Sequence, residues 1–407
     1  MTKPILVISG GPTTRGLWPG LAEKYQLVFI YPQAAQESGI EGATALNQHI
    51  DGPVSDKGRN AGALISAKVV ASLPKIKKRL ATAYGDLPLP KFLDDLPNWF
   101  AGYAHDRLTT AAMSIVALDN LASSGSVVGV VVHEDVSLEM RAPVAWARAR
   151  GIPSIHIPHA PCHLHAGVKD IHAEARAEYV AASGLYEQEF YEAAGVEKGK
   201  AVITGNPAWD YLYLEGGLPE RAEARRVLCL PADGRVICYA TTWGQTTSVR
   251  SRFGDEFKEG LLAVIEYAKA TNSILIVKVH PNQNPAEGEQ IAALMGQMGA
   301  RGLVSREHLT YCLRASDLLI AQSPSNLCIE AATLGVPSVY IQTEGFDYKH
   351  SLPHRCDVAG LAAACDAALA TNPEAWQDFI TYYNAAHPDG GATDRVVEMV
   401  GRLCPTI

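Results

Sequence analysis

Short, uninterrupted runs of apolar residues recur along the chain and constrain its fold more than any other feature. A strand with one exposed face alternates apolar and polar residues, whereas a strand buried on both faces of a parallel sheet is apolar throughout. Segments with helical spacing separate the runs, as in 137–150, which ends at Gly151 where a helix C-cap glycine is expected. The apolar runs occupy 4–9, 26–31, 127–132, 154–157, 236–240, 273–279, 318–321 and 338–341. This pattern predicts an α/β fold with parallel sheets.

The runs fall into two successive series, separated by the polar, glycine-containing stretch 214–221. Each series covers about 200 residues, which is an ordinary size for a domain. We therefore expect two doubly wound parallel-sheet domains that face each other across a cleft. The predicted boundaries are 1–214 for the N-terminal domain and 222–390 for the C-terminal domain, followed by a tail at 391–407 with helical spacing.

Charge and composition exclude several classes of partner. The 407 residues include 35 Lys and Arg against 43 Asp and Glu, without a basic block that could follow a polymer's phosphates, so we expect no nucleic-acid partner. The longest uncharged apolar stretch, 127–132, is far shorter than the roughly 20 residues of a transmembrane helix, and 4–8 is too short for a signal peptide. The eight cysteines form no C-x-x-C pair, which is typical of reduced thiols. We therefore expect a cytoplasmic protein.

Polar residues directly follow several of the predicted strands. Ligands of open parallel sheets bind outside the carboxyl ends of the strands, so these residues are candidates for chemistry. The candidates are His133, Glu134 and Asp135 after 127–132, His159 after 154–157, Thr242 after 236–240, Lys278 near the end of 273–279 and His280 directly after it, and Ser323, Ser325 and Asn326 after 318–321.

The segment 322–326 has the composition of an anion site at a helix start. Small hydroxyl and amide residues there leave backbone N–H groups free, and the helix dipole favours a negative charge. Lys278 and His280, one strand earlier, add donors that suit a diphosphate. The alternative is that Ser325 or Asn326 only caps the helix.

Glu330 lies about one turn into the helix that begins near Asn326. A carboxylate at that distance can reach a ribose diol when a nucleotide phosphate occupies the helix start. The alternative is a carboxylate on a solvated helix face. Ala331 and Ala332 beside it indicate a buried helix, where a carboxylate without a partner is costly.

Motifs of the second half resemble those of CDP-glycerol glycerophosphotransferase-like proteins. The resemblance is carried in order by Tyr239-Ala-Thr-Thr-Trp243, Lys278-Val-His-Pro281, Ser323-Pro-Ser325 with Glu330, Leu334-Gly-Val-Pro337, and Asp389-Gly390 with Thr393 and Arg395. It implies a C-terminal domain that binds a nucleotide-activated donor, and a terminal helix in 391–407 that packs back toward an N-terminal, acceptor-side domain.

The first half is similar to non-hydrolysing UDP-N-acetylglucosamine 2-epimerases. The similar segments are 130–135, 152–156 and Val202-Ile-Thr-Gly-Asn-Pro-Ala-Trp-Asp210. Both families have the GT-B fold, so the resemblance implies this fold. The epimerase chemistry transfers less well, because the family's Gly-Asp-Thr reads His133-Glu134-Asp135 here, and its His-Val-Glu-Ala-Gly reads His156-Ile-Pro-His159-Ala160 without the Glu.

Five histidines between 156 and 172 suggest either a metal site or an acid/base centre. They lack the set spacing of zinc ligands, so we expect no metal, and packed or solvated imidazoles are the plain alternative. His159 follows a predicted strand and resembles the His-Gly histidine of the glycerophosphotransferases, which implies a general base. Glu134 or Asp135, after the neighbouring strand, could orient that imidazole or be the base itself.

Together these features predict a metal-independent GT-B transferase of polysaccharide or capsule biosynthesis, without a cofactor. It would move a glycosyl or polyol-phosphate group from a nucleotide-sugar or CDP-polyol donor to a hydroxyl of a surface-carbohydrate acceptor. The donor-binding residues would be Thr242, Lys278, His280, Ser323, Ser325, Asn326 and Glu330, and the catalytic residues His159, Glu134 and Asp135. A nucleotide-sugar epimerase and a non-catalytic nucleotide-sugar binding module are the two alternatives.

Overall fold

The apolar runs form the central strands of two parallel sheets in the computed structural model. The structure describes residues 3–84, 105–135, 137–158, 176–214, 216–241, 254–280, 283–341, 348–384 and 389–406. All strand pairs in both sheets are parallel. The predicted fold class, two doubly wound parallel-sheet domains, is therefore confirmed.

The first sheet has seven strands in the described residues, in the spatial order β3-β2-β1-β4-β5-β6-β7. The strands are β1 (Ile5–Ile8), β2 (Gln26–Phe29), β3 (Thr44–Ala45), β4 (Val127–Val132), β5 (Ser154–His156), β6 (Tyr179–Ala182) and β7 (Ala201–Ile203). The order reverses direction between β1 and β4, which makes this pair the topological switch point of the sheet.

The second sheet has six strands in the described residues, in the order β10-β9-β8-β11-β12-β13. The strands are β8 (Val236–Ala240), β9 (Ile274–Lys278), β10 (Gly302–Ser305), β11 (Leu318–Ala321), β12 (Ser338–Ile341) and β13 (His354–Cys356). Its switch point lies between β8 and β11. Both sheets therefore have the topology that places ligands at one defined edge.

Helices connect the strands and cover both faces of each sheet. The α-helices of the described residues are α1 (Pro12–Arg15), α2 (Trp18–Lys24), α3 (Pro32–Glu37), α4 (Gly52–Tyr84), α5 (His105–Ser124), α6 (Leu138–Ala149), α7 (Leu185–Ala193), α8 (Arg221–Val227), α9 (Gly254–Ala270), α10 (Pro285–Gln297), α11 (Leu309–Ala315), α12 (Asn326–Thr333), α13 (Leu361–Ala370), α14 (Pro373–Tyr383) and α15 (Ala392–Leu403). Within the same described residues, two 3₁₀ helices, Leu46–His49 and Pro207–Leu212, join other elements. None of these helices combines the length and apolar character needed to cross a membrane.

Separate apolar clusters cover the two faces of the first sheet. On one face α2 and α15 pack against strand residues such as Leu6 and Val131. On the other face α5 and α6 pack against residues such as Val7 and Val130. Burial of both faces explains why the central strands are apolar throughout.

The terminal helix α15 lies on the first sheet although it follows the second domain in sequence. Its side chains Val396, Met399 and Val400 belong to the same buried cluster as Leu6. Gly129 in β4 permits a close approach, since a Cβ atom there would lie 2.3 Å from the Sγ atom of Cys404. The chain therefore crosses back to the N-terminal sheet after completing the second one.

The long helix α4 forms an outer layer on α5 rather than on a sheet. Its contact with α5 depends on glycine, because Cβ atoms at Gly58 and Gly62 would lie 2.9 Å and 2.6 Å from the Cα atoms of Met113 and Thr109. Helices can approach this closely only when small residues form the contact. The opposite side of α4 is exposed.

Candidate functional site

Thr241, which follows β8 at the switch point of the second sheet, ties the end of β8 to the end of the neighbouring β9. The Thr241 hydroxyl donates a hydrogen bond of 2.6 Å to Oε1 of Gln283 and accepts one of 2.9 Å from the backbone N–H of His280. Nε2 of Gln283 is buried and has no hydrogen-bond partner within the described ranges. This network holds the loop after β9 against the end of β8.

Lys278 is the last residue of β9 and is buried. Its Nζ atom donates a hydrogen bond of 2.8 Å to the carbonyl of Val279. Burial lowers the pKa of the Lys278 ammonium, whereas the nearby thiols of Cys312 and Cys238 act in the opposite direction. The positive charge thus lies beneath the carboxyl edge of the sheet.

His280 lies at that edge and is half-buried. Burial, and then the charge of Lys278, lower the pKa of its imidazole below the ordinary value of 6.5. The ring is therefore neutral at pH 7. A neutral imidazole can both donate and accept a hydrogen bond, which suits contact with a phosphate oxygen or a hydroxyl group.

Helix α12 begins at the same edge, directly after β11. Gln322 continues the sheet by donating its backbone N–H to the carbonyl of Ala240 at 3.1 Å, and its side chain accepts a hydrogen bond from the hydroxyl of Tyr239. Ser325 occupies the N-cap position, but its hydroxyl does not bond to the helix. That hydroxyl is buried and has no partner in the described part of the chain. The half-buried Ser323 and Asn326 flank it.

Glu330 lies one turn into α12 and points toward the segment that joins the two domains. The hydroxyl of Tyr211 donates to its Oε2 atom at 3.4 Å, and Trp209 also hydrogen-bonds to the carboxyl group. Burial raises the pKa of Glu330 to about 7, although these hydrogen bonds act to lower it. Burial also raises the pKa of Tyr211 to about 12. Glu330 therefore changes its charge near neutral pH.

The switch point of the first sheet holds an oriented imidazole at His133. The hydroxyl of Ser9, after β1, accepts a hydrogen bond of 3.0 Å from the backbone N–H of His133 and lies 2.9 Å from its Nδ1 atom. Gly11 makes room for the ring, since a Cβ atom there would lie 2.2 Å from Cγ of His133. The ring of Tyr31 lies 6.0 Å away between centroids. These contacts define the orientation of the His133 ring.

The two neighbouring carboxylates differ in their surroundings. Asp135 is buried, and its Oδ2 atom accepts backbone hydrogen bonds of 2.8 Å from Arg176 and 3.3 Å from Ala177. The same oxygen lies 3.8 Å from Nδ1 of the buried His156. Glu134 is half-buried, and its Oε2 atom lies 3.4 Å from the backbone N–H of Ser137. Asp135 thus ties β4 to the chain before β6, whereas Glu134 retains more contact with solvent.

Two predicted site residues, His159 and Thr242, lie outside the described residues. So do His163, His165 and His172 of the histidine cluster. Among the residues that the structure describes, no three His, Cys, Asp or Glu side chains are arranged to hold a metal ion.

Side-chain and backbone groups of the two domains contact each other directly. The ring of Tyr186, in α7, packs 4.9 Å from that of Tyr383, in α14, between centroids. The backbone N–H of Asn206 donates to Oδ1 of Asn384 at 3.3 Å. The carboxylate of Asp210 accepts hydrogen bonds from the N–H groups of Ala392 and Thr393 at the start of α15.

Three residues of these edges were not among the candidates from the sequence: Gln283, Trp209 and Tyr211. His133 is a candidate because it directly follows an apolar run, but the sequence assigned it no donor-binding or catalytic role. Trp209 and Tyr211 have no such signal, because only the fold brings their segment to α12.

The arrangement combines groups suited to group transfer. One edge carries backbone N–H groups at a helix start, a buried ammonium group, a neutral imidazole and a carboxylate of pKa about 7. The other edge carries an oriented imidazole and a half-buried carboxylate. The first set suits an anionic leaving group, and the second suits proton transfer.

Comparisons with known proteins agree with both resemblances. The family model for CDP-glycerol:poly(glycerophosphate) glycerophosphotransferase matches residues 165–400, which is more than half of the chain. No curated protein gives a significant match.

Several solved structures share the fold at low sequence identity. The UDP-GlcNAc 2-epimerase of Methanocaldococcus jannaschii, in complex with UDP-GlcNAc and UDP, is 11% identical with a TM-score of 0.56, over 99% of this chain and 100% of that chain. A variant of the wall teichoic acid polymerase TagF soaked with CDPG is 13% identical with a TM-score of 0.52, over 98% and 88%. HepE of Anabaena, in complex with UDP and glucose, is 11% identical with a TM-score of 0.50, over 98% and 97%.

The structural neighbours include both of the protein types that the two halves resemble, so the predicted GT-B fold and the dual resemblance are confirmed. The family match begins before β6 of the first sheet, covers the second sheet and ends within α15. The chain belongs to the CDP-glycerol:poly(glycerophosphate) glycerophosphotransferase family and is a transferase.

Proposed function

We propose that the protein transfers a glycosyl or polyol-phosphate group from a nucleotide-activated donor to a hydroxyl group of a surface-carbohydrate acceptor. The observation that carries this proposal is the carboxyl edge at the second switch point. Lys278 ends β9, the neighbour of β8, and His280 follows it, while Ser325 caps and Glu330 lies in α12, which follows β11. Sheets with this topology bind nucleotides at that position.

The donor's phosphates occupy the start of α12 in this proposal. The backbone N–H groups at the helix start and the helix dipole attract the negative charge. The buried Ser325 hydroxyl supplies a further donor, and the charge of Lys278 lies beneath the same edge. The ionised Glu330 carboxylate accepts hydrogen bonds from the ribose hydroxyls one turn further along the helix. Ser323, Asn326 and the predicted Thr242 complete the donor site.

In the proposed reaction the hydroxyl oxygen of the acceptor attacks the donor atom that is bonded to the oxygen of the leaving nucleotide. That atom is the anomeric carbon of a nucleotide-sugar or the distal phosphorus of a CDP-polyol. The new bond to the acceptor oxygen forms as the bond to the leaving oxygen breaks, and the nucleotide departs with the electron pair. Lys278, His280 and the start of α12 stabilise its charge, so the proposal requires neither a metal nor a cofactor.

A general base of the first domain takes the acceptor's proton. His159 is the proposed base, and Glu134 or Asp135 orients it or replaces it. Asp135 already accepts hydrogen bonds from the backbone N–H groups of Arg176 and Ala177. Glu134 is therefore the carboxylate that is more available for this role.

The bound molecules of the structural neighbours agree with a nucleotide donor. UDP-GlcNAc, CDPG and UDP are the compounds named for the epimerase, TagF and HepE structures. A role in surface-polysaccharide or capsule biosynthesis and a cytoplasmic location remain predictions from the sequence and its resemblance.

A thermal-shift screen against CDP, UDP, GDP, CMP and dTDP tests the donor site. A ligand that binds only the folded protein stabilises it by about 2.7 kcal/mol at 100 times its Kd. Lys278→Met provides a matched variant, because it keeps most of the buried volume and removes the charge. It should weaken nucleotide binding by about 1.5 to 3 kcal/mol, the range for hydrogen bonds to charged groups. If none of the five nucleotides stabilises the folded protein, the proposal is contradicted.

Incubation with UDP-N-acetylglucosamine, without an acceptor, separates a transferase from an epimerase. An epimerase would form a second UDP-sugar under these conditions. A transferase should leave the sugar's configuration unchanged and release nucleotide only slowly. Nucleotide binding with no slow hydrolysis of any donor would instead favour the non-catalytic binding module.

A further inference from the structure

The side chain of Gln283 crosses from the end of one strand to the end of the next at the second switch point. Gln283 follows β9 in sequence, but its Oε1 atom lies 2.6 Å from the hydroxyl of Thr241, which directly follows β8. β8 and β11 are the two strands that flank this switch point. The carboxamide of Gln283 therefore lies at the edge where sheets of this topology bind their ligands.

The hydrogen bonds of the carboxamide fix which of its atoms is the oxygen. The backbone N–H of His280 donates to the same Oε1 atom at 3.2 Å. A backbone N–H can only donate, so the atom that faces it is the carbonyl oxygen and not the NH₂ group. The NH₂ group consequently lies on the side of the carboxamide that faces away from this N–H.

The main chain of Gln283 is anchored as well as its side chain. Its N–H donates to the carbonyl of His280 at 2.9 Å, and its carbonyl accepts a hydrogen bond of 3.0 Å from the guanidinium group of Arg306, which follows β10. Gln283 is thus bonded to residues that follow three neighbouring strands, β8, β9 and β10. A side chain held in this way loses little conformational entropy when it binds a ligand.

The NH₂ group is the one polar group of Gln283 that lacks a hydrogen-bond partner within the described part of the chain. The residue is 6% exposed, and its Nε2 atom is buried. A buried donor without a partner lowers the stability of the folded protein. Its retention at a ligand-binding edge indicates a role in binding.

Other groups at this edge indicate which kind of acceptor suits the NH₂ group. Lys278 ends β9 with a buried ammonium group. Ser325, the N-cap of α12, has a buried hydroxyl with no partner among the described residues. Both groups can donate hydrogen bonds, as the NH₂ group does. A ligand that meets all three has to accept at several atoms, and a diphosphate does so while its charge suits the ammonium group.

We propose that the NH₂ group of Gln283 binds a phosphate oxygen of the donor, which makes Gln283 a specificity-determining residue for the diphosphate. This inference rests on the proposed function, because it takes a nucleotide-activated donor as the ligand. The oxygen of the carboxamide is held by Thr241 and His280, so the NH₂ group is already oriented before the donor binds. Gln283 contributes to the affinity for the diphosphate and not to recognition of the base.

Calorimetry with CDP and UDP, followed by displacement of the bound nucleotide with inorganic pyrophosphate, tests the proposal. Gln283→Glu is the decisive variant, because one carboxylate oxygen still accepts from Thr241 and His280 while the other replaces the NH₂ group. Loss of a hydrogen bond to a charged group weakens binding about 10- to 100-fold, and the new oxygen also repels phosphate. The affinities for nucleotide and for pyrophosphate should therefore both decrease at least about tenfold.

Gln297→Glu is the matched control. It introduces the same charge at an exposed position at the far end of α10, the helix that begins just after Gln283. It should bind both ligands like the wild type. If the unfolding midpoint shows that Gln283→Glu does not fold, Gln283→Met replaces it. That variant removes the NH₂ group without adding a charge and should weaken binding of both ligands about tenfold.

The pH dependence of the Gln283→Glu variant separates a role of the NH₂ group from a structural one. Protonation of the new carboxyl group restores a donor, so the difference in affinity from the wild type should decrease as the pH falls from about 8 to about 5. Lys278, His280 and Glu330 have shifted pKa values at this edge, but they are present in both proteins and cancel in the comparison.

The possible results distinguish this inference from the proposed function. A folded Gln283→Glu variant that binds nucleotide and pyrophosphate like the wild type would overturn the inference and leave the proposed function standing. Weaker nucleotide binding with unchanged pyrophosphate affinity would also overturn it, because the NH₂ group would then bind the base. A wild-type protein that binds neither nucleotide nor pyrophosphate would contradict the proposed function, and the inference with it.

Discussion

The hydroxyl of Tyr211 lies 3.4 Å from Oε2 of Glu330 and donates a hydrogen bond to it. Tyr211 belongs to the 3₁₀ helix between the two sheets, whereas Glu330 belongs to the helix at the second switch point. The proposed ribose-binding carboxylate is therefore in direct contact with the segment that joins the domains. A ligand that competes for this carboxylate would change a contact between domains.

The first prediction concerns the pH dependence of donor binding. Glu330 has a pKa of about 7, so its ionised fraction increases as the pH rises from 6 to 8. A ribose diol donates to the ionised form, and affinity for a CDP-polyol or UDP-sugar should rise about tenfold over this range. Phosphodiesters of this kind do not titrate there. Calorimetry at pH 6, 7 and 8 measures the effect.

Glu330→Gln should bind the donor with little pH dependence. Other titratable groups surround the site: the ring of His308 lies 6.1 Å from that of Tyr211, between centroids, and His280 lies at the same edge. Burial, and then the charge of Lys278, lower the pKa of His280, so less of it is protonated at each pH of this range than of an ordinary imidazole. A His308→Gln variant that retains the rise would assign it to Glu330. A wild-type affinity that is constant with pH would contradict the assignment.

The second prediction concerns the stability of the folded protein. Glu187 is fully buried; its Oε2 atom accepts a 2.7 Å hydrogen bond from the backbone of Ser183, and Oε1 has no hydrogen-bond partner within the described ranges. Burial raises the pKa of Glu187 from 4.5 to about 7. The folded protein thus holds a proton that the unfolded chain has lost, and its stability decreases as the pH rises from about 4.5 to 7.

Glu187→Gln should remove this decrease. The variant should gain up to about 3 kcal/mol over the wild type at pH 8 and little at pH 4. Urea unfolding at both pH values measures the difference. Glu330 titrates in the same range, so Glu330→Gln is measured in parallel, and the two effects should add. An equal gain at both pH values would indicate a change in packing instead.

The third prediction concerns the start of α15. The N–H groups of Ala392 and Thr393 donate to the Asp210 carboxylate at 3.0 Å and 2.7 Å, and Asp210 is buried. Asp210→Ala should cost about 1 to 2 kcal/mol of stability, as removal of a helix cap does. It should also expose the tail after 391 to limited proteolysis. Asp389→Ala is the comparison variant: Asp389 pairs with Arg395 and accepts the N–H of Gly391 at the surface, where such contacts contribute about 0 to 1 kcal/mol, so its loss should be smaller.

Most of the central strands could be predicted from the sequence because burial on both faces makes them apolar. The central strand β6 and the edge strands β3, β7, β10 and β13 were not predicted, since they are short and some include polar or charged residues such as Thr44 and Arg355. Helix α4 also has no apolar period. Its contact face consists of Gly58, Gly62 and Ser66, so close helix packing replaces the usual hydrophobic stripe.

The edges that hold the candidate site could likewise be predicted, because residues after parallel strands meet at one side of a sheet. This rule brings Lys278, His280 and Ser325 to the same edge. It does not indicate where a side chain finds its partners. The contact of Glu330 with Tyr211, and that of Asp135 with Arg176, join segments that only the tertiary fold brings together.

The last prediction concerns the general base. A base contributes about a hundred- to ten-thousand-fold in rate, whereas a residue that only binds substrate changes affinity more than turnover. His159→Ala should therefore decrease turnover by at least about a hundredfold and abolish the acidic limb of the pH–rate profile. Nucleotide affinity should hardly change, because the proposed donor site is in the other domain. His163→Ala is the matched control and should retain normal turnover.

The two carboxylates give different expected results because their contacts differ. Asp135→Asn replaces a group that accepts hydrogen bonds from Arg176 and Ala177, so it should decrease stability together with turnover. Glu134→Gln should leave the fold intact, because Glu134 is half-buried and makes one long contact with Ser137. A large loss of turnover in Glu134→Gln, with near-normal turnover in the histidine variant, would identify Glu134 as the base and leave the imidazole as part of the loop.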